Sequence, residues 1–212
     1  HAEEPFYRWL ASWGMSVCKP SDLGYSDEGF DLPSLTIEPV WVEANYRPEG
    51  SLFHMGLHGI QDRAKVRKAT LSRRIEAAID LVQSRPGQWI LWCGLNDESR
   101  GLAEHLDDCI EVEGSDSPEE KAEALARFQR GEVRILVTKP RIAGFGMNFQ
   151  NCKQMAFVGL SDSWEAYYQC VRRSWRFGQT EPVSAYVVLS DAEQDIYTNV
   201  QRKEVEANRM RE

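Results

Sequence analysis

Apolar and polar positions along residues 88–212 predict strands and helices in turn. Five short apolar runs, rich in β-branched and aromatic residues, predict buried strands at 89–93, 110–114, 134–138, 154–160 and 184–190. Amphipathic stretches predict helices at about 96–106, 118–131 and 164–175, and a terminal helix that Ser190 and Glu193 cap. Parallel strands need crossover connections as long as a helix, so the pattern predicts an α/β fold: a parallel sheet with helices on both faces.

The predicted second helix has the clearest local start signal. Ser117 precedes Pro118, and Glu120 follows three residues after the serine. Proline suits the first helical position, and the serine and glutamate form a capping box. Asn96 similarly predicts the start of the helix after the first apolar run.

The upstream part of the chain has a different character. Residues 62–83 predict one long helix with an apolar stripe that packs on the sheet. Residues 5–13 predict a short aromatic-rich helix, which is followed by a Pro-, Gly- and Asp-rich run and a brief strand near residues 40–43. We therefore expect residues 1–45 to be a linker or a piece of a neighbouring domain, and residues 46–212 to be the main domain.

Composition indicates an ordinary globular protein, but its charge is segregated. The net charge of −8 argues against a uniformly basic nucleic-acid binder. Six basic residues lie in 54–74 against one acidic residue, twelve acidic residues in 97–132 against four basic ones, and seven basic residues in 134–179 against two acidic ones. Two cationic segments therefore flank an acidic one, although solvated helix faces would also explain the acidic block.

Several sequence features bear on the cellular location and the processing of the chain. No apolar run approaches the length of a membrane span, and the N-terminus lacks a secretory pattern, so we expect a cytoplasmic protein. The five cysteines form no Cys-x-x-Cys pair, which fits a reducing compartment. The first residue is His1, so we expect a fragment or a processed product.

Common catalytic motifs are missing from the sequence. It contains no Gly-Lys dipeptide and hence no phosphate-binding loop of the Walker type, no Gly-x-Ser-x-Gly elbow and no His-Glu-x-x-His pair. His54 and His58 have a spacing that could bind metal on a helix, but Gly56 and Gly59 make that helix doubtful. We therefore predict no metal site, and a stand-alone small-molecule enzyme would lack a nucleophile, a base or a metal cluster.

The most informative polar cluster lies in residues 168–179. On a helix, Gln169, Arg173 and Arg176 occupy positions i, i+4 and i+7, so one amide and two guanidinium groups share a face, and Gly178 ends the helix. Such donors with no carboxylate nearby in sequence suit a phosphate group. A solvated face, or arginines paired with the acidic block, is the alternative interpretation.

A second candidate segment is the loop that follows the predicted strand 134–138. Open α/β sheets bind ligands at the carboxyl ends of their strands, and small residues such as Gly144 and Gly146 let a backbone approach a ligand. Alone this is a weak signal, because a Gly-x-Gly turn is more often ordinary turn chemistry.

Together, the order and spacing of these segments resemble the second RecA-like lobe of superfamily 2 helicases and translocases. The Swi/Snf-like branch and its bacterial or phage DEAD/DEAH-box relatives are the most similar. The resemblance spans about residues 89–197: WILWCG resembles motif IV, GFGMNF resembles motif V, and QCVRRSWRFGQ matches motif VI at each anchor position. Residues 1–45 then resemble the linker between lobes or a remnant of the first lobe.

The resemblance implies specific roles for the candidate residues. ATP with Mg²⁺ would be bound mainly by an N-terminal RecA-like lobe that this sequence lacks, and Arg173 and Arg176 would act as arginine fingers oriented by Gln169. Gly144, Gly146 and Asn148 would lie near the nucleotide. Backbone contacts to nucleic acid are expected from the following residues: Gly94, Asn96, Thr138, Lys139 and Arg141. The basic helix 63–74 could extend this track, and Trp175 is the tryptophan best placed to stack.

These implications favour the C-terminal motor lobe of an ATP-dependent DNA helicase or translocase that acts on double-stranded DNA. We expect this lobe to be inactive without the first lobe. The alternative is a catalytically inert RecA-like module that binds nucleic acid or protein, because a fold alone does not guarantee activity.

Overall fold

The computed structural model describes residues 3–15, 17, 19–44, 60–144, 146–161 and 163–209. Eight α-helices and six strands lie in this part of the chain, together with 3₁₀ turns at Pro20–Leu23 and Asp191–Glu193. In chain order the elements are α1 (Glu3–Ala11), β1 (Leu35–Val42), α2 (Ile60–Ala69), α3 (Leu71–Gln83), β2 (Trp89–Cys93), α4 (Asn96–His105), β3 (Cys109–Glu111), α5 (Pro118–Gln129), β4 (Ile135–Thr138), α6 (Pro140–Ala143), β5 (Gln154–Val158), α7 (Trp164–Ser174), β6 (Val183–Ser190) and α8 (Gln194–Arg209).

The six strands form one parallel sheet in the order β1-β6-β5-β2-β4-β3. The register aligns Trp89 of β2 with Ile135 of β4 on one side and with Gln154 of β5 on the other. The predicted α/β fold, a RecA-like parallel sheet flanked by helices, is confirmed. Because the strands are parallel, the loops that follow β2, β4, β5 and β6 all emerge at the same edge of the sheet.

Two hydrophobic cores cover the two faces of the sheet, and β2 contributes to both. Its five residues are all buried, as expected for a central strand with helices on each side. Trp89 and Leu91 point to the core that contains Ala78 of α3 and Leu102 of α4. Ile90 and Trp92 point to the opposite core. A side-chain period of two therefore places each tryptophan of this strand on a different face.

The capping box predicted at the start of α5 is present. Ser117 Oγ accepts a hydrogen bond from the Glu120 backbone N–H at 3.2 Å, and Glu120 Oε2 accepts one from the Ser117 N–H at 2.8 Å. Pro118 occupies the first turn. A signal that depends on four consecutive residues is thus reproduced in the fold.

Strand β1 lies within the segment expected to be a linker. All eight of its residues pair in parallel with β6, from Leu35 opposite Val183 to Val42 opposite Ser190. It is therefore the edge strand of the main sheet, longer than the brief strand predicted. Alternation of half-buried and exposed positions is what an edge strand shows, and the interrupting Pro39 is tolerated at an edge.

The long helix predicted over residues 62–83 is divided into α2 and α3 at Thr70. The Thr70 hydroxyl donates to the Val66 carbonyl oxygen at 2.8 Å, inside the preceding turn. Helix α3 packs on the sheet as predicted and buries Ala78, Leu81 and Val82. The remaining residues of the predicted basic segment, 54–59, lie outside the described residues.

Candidate functional site

Helix α7 positions the predicted amide and the first predicted arginine. It begins after Ser163, whose side-chain oxygen accepts a hydrogen bond from the Ala166 N–H at 3.2 Å. Its inner face is buried through Tyr167, Cys170 and Val171, whose spacing is that of a helix stripe. Gln169 and Arg173 lie one turn apart, only partly buried, at the edge of this packing.

The Arg173 guanidinium is held by three acceptors. Nη2 donates to the side-chain oxygen of Gln169 at 2.8 Å, and Nε donates to the Gln169 carbonyl oxygen at 3.0 Å. Nη1 donates to the Met147 carbonyl oxygen at 3.1 Å, which joins α7 to the loop between α6 and β5. Gln169 therefore orients Arg173 directly in the structure.

Arg176 reaches the same loop but does not lie on the helix. Helix α7 ends at Ser174, four residues before Gly178, so the prediction of a common helix face holds for Gln169 and Arg173 and is wrong for Arg176. The helix ends here because of tertiary contacts: the Trp175 indole donates to the Pro33 carbonyl oxygen at 2.7 Å, and the chain turns. Arg176 Nη1 then donates to Asn148 Oδ1.

The electrostatics of this arginine pair fit an anion. Within the described residues, the hydrogen-bond partners of Arg173 and Arg176 are neutral oxygens, and neither arginine pairs with a carboxylate. The pKa of Arg173 is lowered, mainly because the guanidinium is partly buried and to a smaller extent because Arg176 repels its charge. Arg176 Nε is buried and has no hydrogen-bond partner in the described part of the chain. Two guanidiniums whose charge no described carboxylate cancels are suited to phosphate oxygens.

The motif-V-like loop supplies the acceptors for the arginines. Asn148 is exposed, and its own carbonyl oxygen accepts a hydrogen bond from Gln129 Nε2 at 2.7 Å. Gly146 is exposed with a φ of 75°, whereas Gly144 is buried at the end of α6. Of the three residues predicted to lie near a nucleotide, Gly146 and Asn148 therefore reach the surface and Gly144 does not.

A second cluster forms where β2 and β4 end side by side. Asn96 is exposed in the first turn of α4, and its side-chain oxygen accepts a hydrogen bond from Lys139 Nζ. Arg141 is exposed on α6. The structure thus brings Asn96 and Lys139 together, as strand ends of a parallel sheet should.

Two other residues predicted to contact nucleic acid have their polar groups engaged inside the protein. Thr138 is fully buried, and its hydroxyl donates to the Val112 carbonyl oxygen at 3.3 Å. The Gly94 N–H donates to Glu98 Oε2 at 2.8 Å. In this structure, neither the Thr138 hydroxyl nor the Gly94 amide is presented to a ligand. The physical reason is that each group satisfies an internal hydrogen bond at the end of its strand.

In the basic segment 63–74, Lys65, Lys68 and Arg73 are exposed, whereas Arg67 and Arg74 fit neither a solvated face nor a nucleic-acid track. Arg74 is completely buried and pairs with Glu98, and Arg67 pairs with the buried Glu193 at 3.1 Å. These two ion pairs were missed by sequence reasoning, which treated the arginines as surface residues. A weak signal existed in Arg74 itself, which precedes the apolar positions Ala78 and Val82 at helical spacing.

The buried cysteines among the described residues offer no reactive thiol. Burial raises the pKa of the Cys152 thiol to about 12, and burial is also the main cause that raises the pKa values of Cys93 and Cys170. Such thiols stay protonated and are poor nucleophiles.

No group of three potential metal-ligating side chains occurs among the described residues, and His54 and His58 lie outside them. In the same described part, no helix combines the length and hydropathy needed to cross a membrane.

Comparisons with known proteins agree with the fold. Residues 73–178, half of the chain, match the family described as "Helicase conserved C-terminal domain". The solved structure of the C-terminal part of the Fun30 ATPase domain superposes with a TM-score of 0.53 at 16% identity, covering 60% of this chain and 45% of that chain. At this identity the likeness concerns the fold alone.

Curated relatives from Leishmania carry the name "Bifunctional helicase and thymine dioxygenase JBP2". The protein from Leishmania braziliensis is 29% identical over 98 residues, which are 44% of this chain and 9% of the relative. The protein from Leishmania tarentolae is 27% identical over 146 residues, which are 64% of this chain and 13% of the relative. This chain thus spans about a tenth of the length of these relatives. The family match over half of the chain shows that it belongs to the helicase conserved C-terminal domain family, and the parallel α/β fold agrees with this.

Proposed function

We propose that this chain is the C-terminal motor lobe of an ATP-dependent DNA helicase or translocase of the Swi/Snf-like branch. The observation that carries the proposal is the pair formed by Arg173 and Arg176. Both guanidiniums are held by neutral oxygens, and neither pairs with a carboxylate within the described residues. A pair arranged in this way can bind an anion without first breaking an ion pair.

Among the described residues, Arg173 and Arg176 are the charged groups that would bind the phosphates of a nucleotide. ATP with Mg²⁺, held mainly by an N-terminal RecA-like lobe, would supply the phosphoryl group that is transferred to water. Arg173 and Arg176 would place positive charge beside the γ-phosphate as negative charge develops there. Gln169 keeps Arg173 oriented, and Asn148 keeps Arg176 oriented.

Nucleic acid would bind at the second cluster, where β2 and β4 end side by side. Asn96 and Arg141 are exposed, Lys139 is half-buried, and the three offer polar or basic groups near the ends of β2 and β4. Contacts of this type go to phosphate oxygens, so binding should be independent of sequence and strongly dependent on salt. Thr138 and Gly94 take part in this proposal only as supports of the strand ends.

The names of the relatives favour DNA as the nucleic acid. They join a helicase to a thymine dioxygenase, and thymine is a base of DNA. Double-stranded DNA as the track follows from the resemblance to Swi/Snf-like motors. A bacterial or phage origin and a cytoplasmic location stay predictions.

ATP hydrolysis tests the proposal most directly. ATPase activity is measured with and without duplex DNA for this chain alone and for a polypeptide extended upstream by the first lobe. We expect no turnover from the chain alone and DNA-stimulated turnover from the extended polypeptide. An extended polypeptide that binds DNA but hydrolyses no ATP would instead support the catalytically inert binding module.

A further inference from the structure

Arg74 of α3 and Glu98 of α4 form an ion pair inside the protein. Their side chains are 0% and 1% exposed, and Arg74 Nη1 donates to Glu98 Oε1. A buried charge is costly unless it is paired and hydrogen-bonded, and a buried pair is an inefficient way to stabilise a fold. The hydrogen bonds of this pair connect it to the loop between β2 and α4.

The arginine is fixed in one orientation. Arg74 Nη2 donates to the Arg67 carbonyl oxygen at 2.7 Å, and Nε donates to Thr70 Oγ1 at 3.3 Å. Gly159, at the end of β5, has a φ of 82° and lies against the pair: a Cβ there would be 2.5 Å from Arg74 Nη1 and 3.2 Å from Glu98 Oε1. The pair therefore occupies a space between strand ends that only glycine leaves open.

The other carboxylate oxygen of Glu98 holds the loop between β2 and α4. Glu98 Oε2 accepts hydrogen bonds from the backbone N–H groups of Gly94 and Leu95, at 2.8 and 2.9 Å. Two consecutive amides on one oxygen restrict the loop backbone. Asn96 follows immediately, and its side chain bonds Lys139.

We propose that the Arg74–Glu98 pair is a positioning element for the nucleic-acid contact formed by Asn96 and Lys139. Arg74 holds the carboxylate, the carboxylate holds the Gly94 and Leu95 amides, and these amides set the direction in which Asn96 leaves the loop. This inference rests on the proposed function, because it assigns the pair to the DNA-binding cluster described above.

A second buried carboxylate provides a matched control. Glu193 has a side chain that is 0% exposed, pairs with Arg67, and accepts hydrogen bonds from the Ser190 N–H and hydroxyl at 3.2 and 2.8 Å. Ser190 lies at the end of β6 and Arg67 lies on α2, so neither partner belongs to the loop between β2 and α4. Glu98→Gln and Glu193→Gln therefore remove equally buried charges, but only Glu98 is hydrogen-bonded to the loop amides.

The experiment measures binding of this chain to a short fluorescein-labelled DNA duplex by anisotropy, at NaCl concentrations from about 50 to 200 mM. We expect Glu98→Gln to weaken binding about tenfold and to lower the salt slope by about one, the value of one lost phosphate contact. Glu193→Gln should leave both quantities within about twofold of the unmodified chain. Equal losses in the two variants would reduce the pair to a purely structural role and overturn the inference.

A double-mutant cycle with Lys139→Ala separates positioning from general damage. If Glu98 acts through this cluster, Glu98→Gln should add little to the defect of Lys139→Ala, whereas fully additive losses would contradict the proposal. Should Glu98→Gln fail to fold, Glu98→Asp keeps the charge beside Arg74 but draws the carboxylate back from the amides, and the same DNA-binding defect is expected.

The outcome also separates this inference from the proposed function. An unmodified chain that shows no salt-dependent DNA binding contradicts the proposed track and, with it, the inference. Normal binding that Lys139→Ala weakens and Glu98→Gln leaves unchanged contradicts the positioning role alone.

Discussion

Asn148 accepts a hydrogen bond from Arg176, 28 residues further along the chain. A neutral amide thereby holds a guanidinium without cancelling its charge. Had a carboxylate occupied this place, the arginine would form an ion pair that an incoming phosphate must break. The neutrality of the acceptor is thus as important as its position for the proposed arginine finger.

The first prediction concerns this neutrality. In the polypeptide extended by the first lobe, Asn148→Asp should lower kcat for ATP hydrolysis at least tenfold, because the new carboxylate competes with phosphate for Arg176. Asn199→Asp in α8 adds the same charge outside both clusters and should change kcat less than twofold. Steady-state ATPase assays at saturating DNA give both values, and equal rates for the two variants would contradict the role of Asn148.

The second prediction concerns the arginines themselves. Arg176→Ala should lower kcat by about 10³-fold or more while the affinity for ATP changes little, since such a group acts mainly on the transition state. Arg173→Ala should behave similarly. Arg172→Ala is the matched control, because Arg172 lies over the Tyr168 and Trp175 rings. Turnover of Arg176→Ala that equals the control would refute the proposed finger.

The third prediction concerns the salt dependence of DNA binding. Arg141→Ala should reduce the slope of log affinity against log salt by about 0.9, because one phosphate contact is lost. Arg130→Ala serves as the control: Arg130 is exposed like Arg141 but is paired with Glu123 and Glu132 in α5 and the turn after it. Anisotropy titrations at several salt concentrations decide the matter, and identical slopes for the two variants would remove Arg141 from the track.

The fourth prediction concerns stability. Gly159→Ala should lower the free energy of unfolding by about 2 kcal/mol or more, because the alanine would adopt a positive φ and its Cβ would displace Arg74. For a chain of this size the melting temperature should then fall by about 4 to 8 °C. Gly114→Ala, whose Cβ meets no atom within 4 Å, should melt within about 1 °C of the unmodified chain. Comparable melting of the two variants would show that the space beside Arg74 is not closed.

The fifth prediction concerns pH. Hydrogen bonds from the backbone and the side chain of Ser117 hold the pKa of Glu120 below its ordinary value of 4.5. A carboxylate whose pKa is lowered by folding stabilises the fold at pH values above its unfolded pKa, and this stabilisation disappears as the pH falls through the folded value. The unmodified chain should therefore be more stable than Glu120→Gln at pH 7, and the difference should vanish at strongly acidic pH. Urea unfolding at both pH values measures it, and a difference independent of pH would exclude the carboxylate as its source.

The sequence alone determined features that depend on neighbouring residues. The apolar run of β2, the capping box of α5 and the alternation of strands with helices come from local periodicity and hydrogen bonding, and each appears in the fold. The contact between Gln169 and Arg173 was also predictable, because residues four apart on a helix face the same side.

Tertiary structure decided the features that join distant segments. The pairing of β1 with β6, the end of α7 at Ser174, the burial of Thr138 and the Arg74–Glu98 pair each depend on a partner far away in the chain. A short sequence pattern does not determine such partners. The same arginine can be solvated or can pair with a buried carboxylate, depending on which segment packs against it. Which basic residues stay exposed and which are buried in ion pairs was therefore decided only by the tertiary structure.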